Sequence, residues 1–268
     1  VVDRNLGEAH KKDIDTSVAA SSLPSGASVA AMNPWHVSLL ARAALLLLAG
    51  ECAAAVHLLP CGMHRSNLHL VFGEQYLLGC QLIFGSASVL SIDAGVTVVA
   101  LASHTGSAPA IIIQQGAKIE AAGTAALPIT FTALDSTTES MSTFSTDSVS
   151  AHVLVQGLRG KWGGLVVLGR APINAPGGVS QVEGLRGHWF GGSDPHDNSG
   201  VLSYVRVWYA GAVIGADNEI NGITFAGVGD GTRVDHCEVA YSLDDGIEFF
   251  GGTVNAKYLS VLYPGDDA

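Results

Sequence analysis

From Gln81 onward the apolar residues come in short runs, each broken by Gly or by a polar turn cluster. QLIFG (81–85), SVLSIDAGVTVVAL (88–101), AIIIQQGAKIEAAGT (110–124) and PITFTA (128–133) are too short for helices and rich in β-branched residues. Apolar and polar positions alternate in much of this stretch, which predicts β-strands with one face turned to a core. Two segments between the runs read as loops that project from the body: the Ser/Thr-rich stretch 135–150 and the Gly/Pro stretch 174–178.

Near the end of the chain the pattern repeats. CEVAYSLDD (237–245) aligns with LSVLYPGDD (259–267), so that Val239 falls on Val261, Tyr241 on Tyr263, Asp244 on Asp266 and Asp245 on Asp267, at an offset of 22 (263 − 241). VRVWYAG (205–211) is a looser copy. A second series, LVVLG (165–169), ITFAG (223–227) and IEFFG (247–251), places apolar residues before a Gly, and its last two members lie 24 apart (247 − 223). Short strands joined by turns at this period predict the coils of a solenoid, with successive coils stacked about 4.8 Å apart. The fold class expected is all-β, a right-handed parallel β-helix. Residues such as Val205, Val207, Cys237, Val239, Leu259 and Val261 are expected to form inward ladders, with Gly at the corners. A propeller blade needs a longer repeat.

Composition agrees with this picture. Charged residues make up 14% of the 268 residues and 33 are Gly, a balance that suits many turns and few exposed helical faces. The formal net charge of −11 argues against nucleic acid and against anionic lipid as partners. Motifs for nucleophilic serine, zinc peptidase, phosphate-loop or dinucleotide chemistry are absent, and the four cysteines include no C-x-x-C pair.

The N-terminal part reads differently. Residues 32–55 combine a short start carrying Arg42, an apolar run over 43–49 and the small residues 53–55, the layout of a cleaved signal peptide. Residues 1–31 are unassigned upstream sequence, 56–80 are expected as an N-terminal cap or linker, and 81–268 as the β-helix domain. No transmembrane segment is expected, and the localisation expected is secreted or cell surface. In an oxidising compartment Cys61 and Cys80 are candidates to pair, whereas Cys237, in an alternating strand, is expected to be a buried thiol.

KWGGLVVLGRAPIN (161–174), VEGL (182–185), FGGSDPHDNSGVLSYVRVWYAG (190–211), NEINGITFAGVGDGT (218–232) and SLDDGIEFFGGTVNAKYL (242–259) resemble a family of secreted, bacterial-type right-handed parallel β-helix surface proteins and lipoproteins of unassigned function. The resemblance spans roughly 81–268. It implies that further acidic coils follow Asp266–Asp267, so a domain incomplete at its C-terminus is expected, and it supplies no catalytic residues.

The strongest acidic cluster is Asp244, Asp245 and Glu248, with Asp266 and Asp267 one repeat later. Stacked one coil apart, like charges at 4 Å repel by about 4 kcal/mol at an effective dielectric near 20. Three uses fit: local turn capping, a Ca²⁺ site built from several oxygens, or an acid pair for catalysis. Asp194, His196 and Asp197 form a secondary polar loop, and Asp217, Asn218, Glu219 and Asn221 a third cluster. Lyase chemistry would need a basic residue facing the carboxylates, for which Arg206, Arg233 and Lys257 are candidates. The reading favoured is an extracellular or cell-surface β-helix acting as a non-catalytic scaffold, adhesion or glycan-binding module, with Ca²⁺ as possible cofactor and extracellular polysaccharide or cell-surface components as partners. The alternative is a carbohydrate-active enzyme, a lyase or hydrolase acting on acidic polysaccharide.

Overall fold

The structure is a computed structural model that describes residues 55–102, 108–134, 159–183, 185–215 and 218–268. The upstream segment 1–31, the signal peptide expected at 32–55 (save Ala55) and the Ser/Thr stretch 135–150 fall outside the described residues.

The chain winds through the same three strand positions turn after turn. The first coil is β1 (Val56–Leu58), β2 (Gly62–His64) and β3 (Leu68–Leu70); the second is β4 (Gln75–Leu78), β5 (Gln81–Phe84) and β6 (Val89–Ile92). β7 (Thr97–Leu101), β8 (Ala110–Ile113) and β9 (Lys118–Ala122) make the third. The fourth is β10 (Ile129–Leu134), β11 (Gly164–Leu168), a projecting hairpin of β12 (Val179–Gln181) and β13 (Trp189–Gly191), then β14 (Gly200–Ser203). The fifth is β15 (Val205–Trp208), a small ribbon of β16 (Val213–Gly215) and β17 (Asn218–Glu219), then β18 (Ile223–Ala226) and β19 (Arg233–Asp235). β20 (Glu238–Ala240), β21 (Ile247–Phe250) and β22 (Asn255–Lys257) complete the sixth, and β23 (Ser260–Leu262) opens another.

Stacking these coils yields three sheets: β1-β4-β7-β10-β15-β20-β23, then β2-β5-β8-β11-β18-β21, then β3-β6-β9-β14-β19-β22. Every pairing within them is parallel. The protein is an all-β, right-handed parallel β-helix, and the described residues contain no α-helix. The register is the one the repeat predicts, with Val207 beside Val239, Val239 beside Val261, and Ile223 beside Ile247. Residues 56–80, expected as a cap or linker, supply the first strand of each sheet. The Cys61–Cys80 disulfide joins the first two coils at one corner, with Cα atoms 5.6 Å apart.

One core fills the tube. Phe84, Ile113, Val167 and Phe225 are wholly buried inward residues of the second sheet, and Phe131, Val207 and Val239 line the first. Leu259, expected inward, is 36% exposed on the last turn. The second sheet is buried on its outer face as well, where Ile112, Val166, Leu168 and Ala226 meet Val182, Leu185 and Phe190 of the hairpin segment. That explains the unbroken apolar runs AIII and LVVL, since a strand covered on both sides need not alternate.

The corners are not all glycine. Tyr204, Tyr209, His236, Tyr241, Tyr258 and Tyr263 have φ between 49° and 62°, in the left-handed region that side chains rarely enter. They form two columns. Tyr204, His236 and Tyr258 stack at 4.3 and 4.5 Å between ring centroids, and Tyr209, Tyr241 and Tyr263 at 5.8 and 5.1 Å. Ring stacking between coils offsets the backbone strain of each turn.

Cys237 is 1% exposed, and burial pushes its thiol up to about 12. In folded protein at pH 8 it should stay unlabelled by a thiol reagent and react fully in denaturant; rapid labelling of the native state would contradict its inward placement. Phe225→Ala should cost about 3–5 kcal/mol in a denaturant titration, because its ring is wholly buried and stacks at 5.3 Å on Phe249.

Candidate functional site

The corner between the first and second sheets carries Asp244 and Asp245 on the sixth coil and Asp266 and Asp267 on the next. Backbone bonds lock the two turns together. Gly246 N–H donates to the Asp267 carbonyl at 2.9 Å, and Asp267 N–H donates to Asp245 Oδ1 at 2.8 Å. The two Asp pairs therefore stack one coil apart, and the Asp245 side chain caps the backbone of the following coil. Glu248 joins them because β21 turns it outward, away from Phe249 and its partner Phe225 in the tube.

Two projecting segments close the site from outside. The segment after β12 brings Val182 and Glu183, and the end of the β16–β17 ribbon brings Glu219 and Ile220. The result is a pocket of about 150 Å³ lined by these residues with Asn221, Thr224 and Phe250 and by Asp244, Asp245, Glu248, Asp266 and Asp267. Seven carboxylates thus converge. Glu219 and Asn221 of the third cluster belong to this site, while Asp217 lies outside the described residues. Glu183 is the member that sequence reasoning missed. It lies 62 positions (245 − 183) before Asp245 and reaches the pocket through the hairpin's tertiary placement.

The electrostatics follow from this crowding. Burial raises the Asp244 carboxyl above its ordinary value, and the charges of Asp245, Glu219 and Asp266 add to the rise. Glu248 is also raised, by burial and then by Asp245, Asp244 and Glu183, against the opposing hydrogen bond that Asn221 Nδ2 donates to it. Asn221 is buried, and its Oδ1 finds no donor among the described residues.

These groups suit a hard cation. Oxygens of Asp244, Asp245 and Asp266 lie within 4.8 Å of one another, and two oxygens sharing a Ca²⁺ at about 2.4 Å can be at most about 5 Å apart. An acceptor without a donor, as at Asn221 Oδ1, is what such an ion would leave in its surroundings. No Lys or Arg lines the pocket among the described residues. Arg206 lies on the first sheet, Arg233 and Lys257 on the third, so the basic partner that lyase chemistry needs is not delivered by any of the three candidates.

The secondary loop is elsewhere, at the corner between the second and third sheets. His196 Nδ1 is 2.7 Å from Asp230 Oδ1, and His196 N–H donates to Asp194 Oδ1 at 3.1 Å. Asp197 is buried and accepts from Ser199 Oγ at 3.2 Å; burial raises its carboxyl. Its carboxylate also takes a backbone hydrogen bond from Arg170, just after β11, which fits an anchor that ties the loop to the second sheet.

A profile of the pectate-lyase like beta helix domain family matches residues 62–144 and 150–268. No curated protein sequence and no solved structure matches the chain.

The sign of the Asp244 shift sets an expectation. A carboxyl raised in the folded state holds its proton more tightly there, so stability falls as pH rises through the ordinary carboxylate range and the cost is full at pH 7. Asp244→Asn should raise the melting temperature at pH 7 in EDTA, and the gain should shrink as the pH is lowered into that range. A variant less stable than the parent at pH 7 in EDTA would show that hydrogen bonding by Asp244 outweighs repulsion.

Proposed function

The chain belongs to the pectate-lyase-like β-helix domain family, and from that premise we propose that it is an extracellular, non-catalytic scaffold or glycan-binding module whose acidic pocket holds Ca²⁺. The observation that carries this reading is the pocket itself, with seven carboxylates and no cation lining it among the described residues. Elimination chemistry needs a base opposite the bound uronate, and carboxylates alone repel such a substrate. Size points the same way. About 150 Å³ is well below the ~300–1,000 Å³ of pockets that enclose organic ligands, and it suits an ion with its waters. The Cys61–Cys80 bridge supports an oxidising compartment. No helix among the described residues is long and apolar enough to cross a membrane.

A second reading, a glycoside hydrolase acting on acidic polysaccharide, draws on one observation. Asp244 and Glu248 are raised beside other carboxylates, and paired carboxyls of unequal acidity serve glycoside hydrolysis. The hydrogen bond from Asn221 Nδ2 to Glu248 weighs against it, because it favours the ionised form of the candidate acid.

Millimolar Ca²⁺ should raise the melting temperature reversibly, EDTA should undo the rise, and Asp245→Asn should reduce it. At a hundredfold excess over Kd the stabilisation is about 2.7 kcal/mol. No reducing ends or unsaturated sugars should appear from a panel of polyuronates. A melting temperature indifferent to Ca²⁺ would defeat the metal assignment, and release of product would defeat the non-catalytic one.

A further inference from the structure

Five of the six tyrosines in the chain stand at the two aromatic corners. The sixth, Tyr76, is in the core, where its hydroxyl accepts the Val71 N–H at 2.8 Å. The two columns differ in one respect. Between the first and second sheets all three rings are phenols, and Tyr209, Tyr241 and Tyr263 directly follow β15, β20 and β23. Between the third and first sheets His236 separates Tyr204 from Tyr258, with ring centroids 4.3 and 4.5 Å away. Stacking alone does not require phenols, since His236 supplies a ring to the same kind of turn.

The backbone holds the all-phenol column in register. Tyr209 N–H donates to the Ala240 carbonyl at 3.0 Å, and Tyr241 N–H donates to the Leu262 carbonyl at 2.9 Å. Each phenol therefore sits one coil, about 4.8 Å, from the next. Tyr241 and Tyr263 are the closer pair, with centroids 5.1 Å apart and planes 14° from parallel; Tyr209 and Tyr241 are 5.8 Å apart at 20°. Rings so placed are offset-stacked, with carbons of one against carbons of the other. Tyr209 and Tyr241 are partly buried, whereas Tyr263 is 56% exposed, so an oxidant reaches the column from solvent.

We infer that this column is a cross-linking site, at which a one-electron oxidant joins Tyr241 to Tyr263 as dityrosine and so fastens the sixth coil to the next. The oxidant is of the haem-peroxidase class, working with hydrogen peroxide. Each phenol gives up one electron and its hydroxyl proton. The two phenoxyl radicals pair their electrons in a new C–C bond between the ring carbons ortho to the two oxygens. The hydrogens on those carbons then move to the oxygens and restore both phenols. In sum two C–H bonds are lost, and the two electrons and two protons reduce one hydrogen peroxide to two waters. A partner ring already held in place reacts ahead of one that must diffuse in. Tyr209 is the second partner open to Tyr241. In the other column the intervening imidazole keeps Tyr204 from Tyr258, so no link forms there. In place, the reaction needs the oxidising compartment of the reading above; the test on purified protein does not, and it is independent of Ca²⁺.

The test treats the whole chain in EDTA, at high dilution, with a haem peroxidase and limiting hydrogen peroxide. The monomer recovered from a denaturing gel should carry dityrosine fluorescence. Its digest should contain peptides joined at Tyr241 and Tyr263, two hydrogens lighter than their sum. The oxidised monomer should melt several degrees higher, because the link restricts the unfolded chain between two coils. Tyr241→Phe keeps a ring in the stack, so it should hold the parent's melting temperature before oxidation and lose the monomer fluorescence at least about tenfold. The yield should fall when the parent is oxidised in denaturant. Absence of dityrosine, fluorescence confined to dimers, a Tyr204–Tyr258 link as the main product, an undiminished signal in Tyr241→Phe, or an equal yield from the unfolded chain overturns the proposal.

Discussion

Backbone hydrogen bonding between successive coils is the constraint on which the rest of this molecule depends. Each inner strand has its donors and acceptors satisfied by the turn before and the turn after, so every coil must bring its residues back into the same register. Ile111, Leu165, Ile223 and Ile247 occupy one inward column for that reason. Material that does not fit the register is expelled at the corners. The β12–β13 hairpin and the β16–β17 ribbon are such expulsions, and both fold back over the outer face of the second sheet.

The acidic pocket is a product of the same constraint. Once Val239 is paired with Val261, Asp244 and Asp266 must meet, whatever their charges. The register therefore creates the repulsion, and the folded insertions aggravate it by adding Glu183 and Glu219 and by excluding water. At the opposite extreme, Asp235 shows how the protein treats a buried carboxylate that is structural: three donors surround it. The contrast between one carboxylate surrounded by three side-chain donors and a group of carboxylates crowded against one another is the main chemical asymmetry of the fold.

The fold was legible wherever residues recur at equivalent positions. Matching Tyr241 to Tyr263 and Ile223 to Ile247 was enough to place neighbouring coils. The first coil was missed because VHL, GMH and LHL are three-residue strands containing histidine, without the β-branched runs that mark later coils. The aromatic corners were visible as matched tyrosines, but a positive φ at Tyr or His contradicts residue preference and is set by stacking between coils. Within the pocket, Asp244, Asp245, Asp266 and Asp267 were legible because they share the repeat, and Glu248 because it follows the first pair closely in the chain. Glu183 was not, since only the return of the hairpin onto the second sheet brings it there.

The Cys61–Cys80 bridge has a mechanical meaning. A pull on the chain where it enters at Ala55 loads the edge of a zipper, so the pairs of β1 with β4 separate in succession and at low force. The bridge sits directly behind β1 and ties its coil to the next. Peeling from that end therefore halts after a few residues, and further extension has to shear two coils together. A tube fastened in this way carries tension at its entry point that an unbridged stack of coils would release.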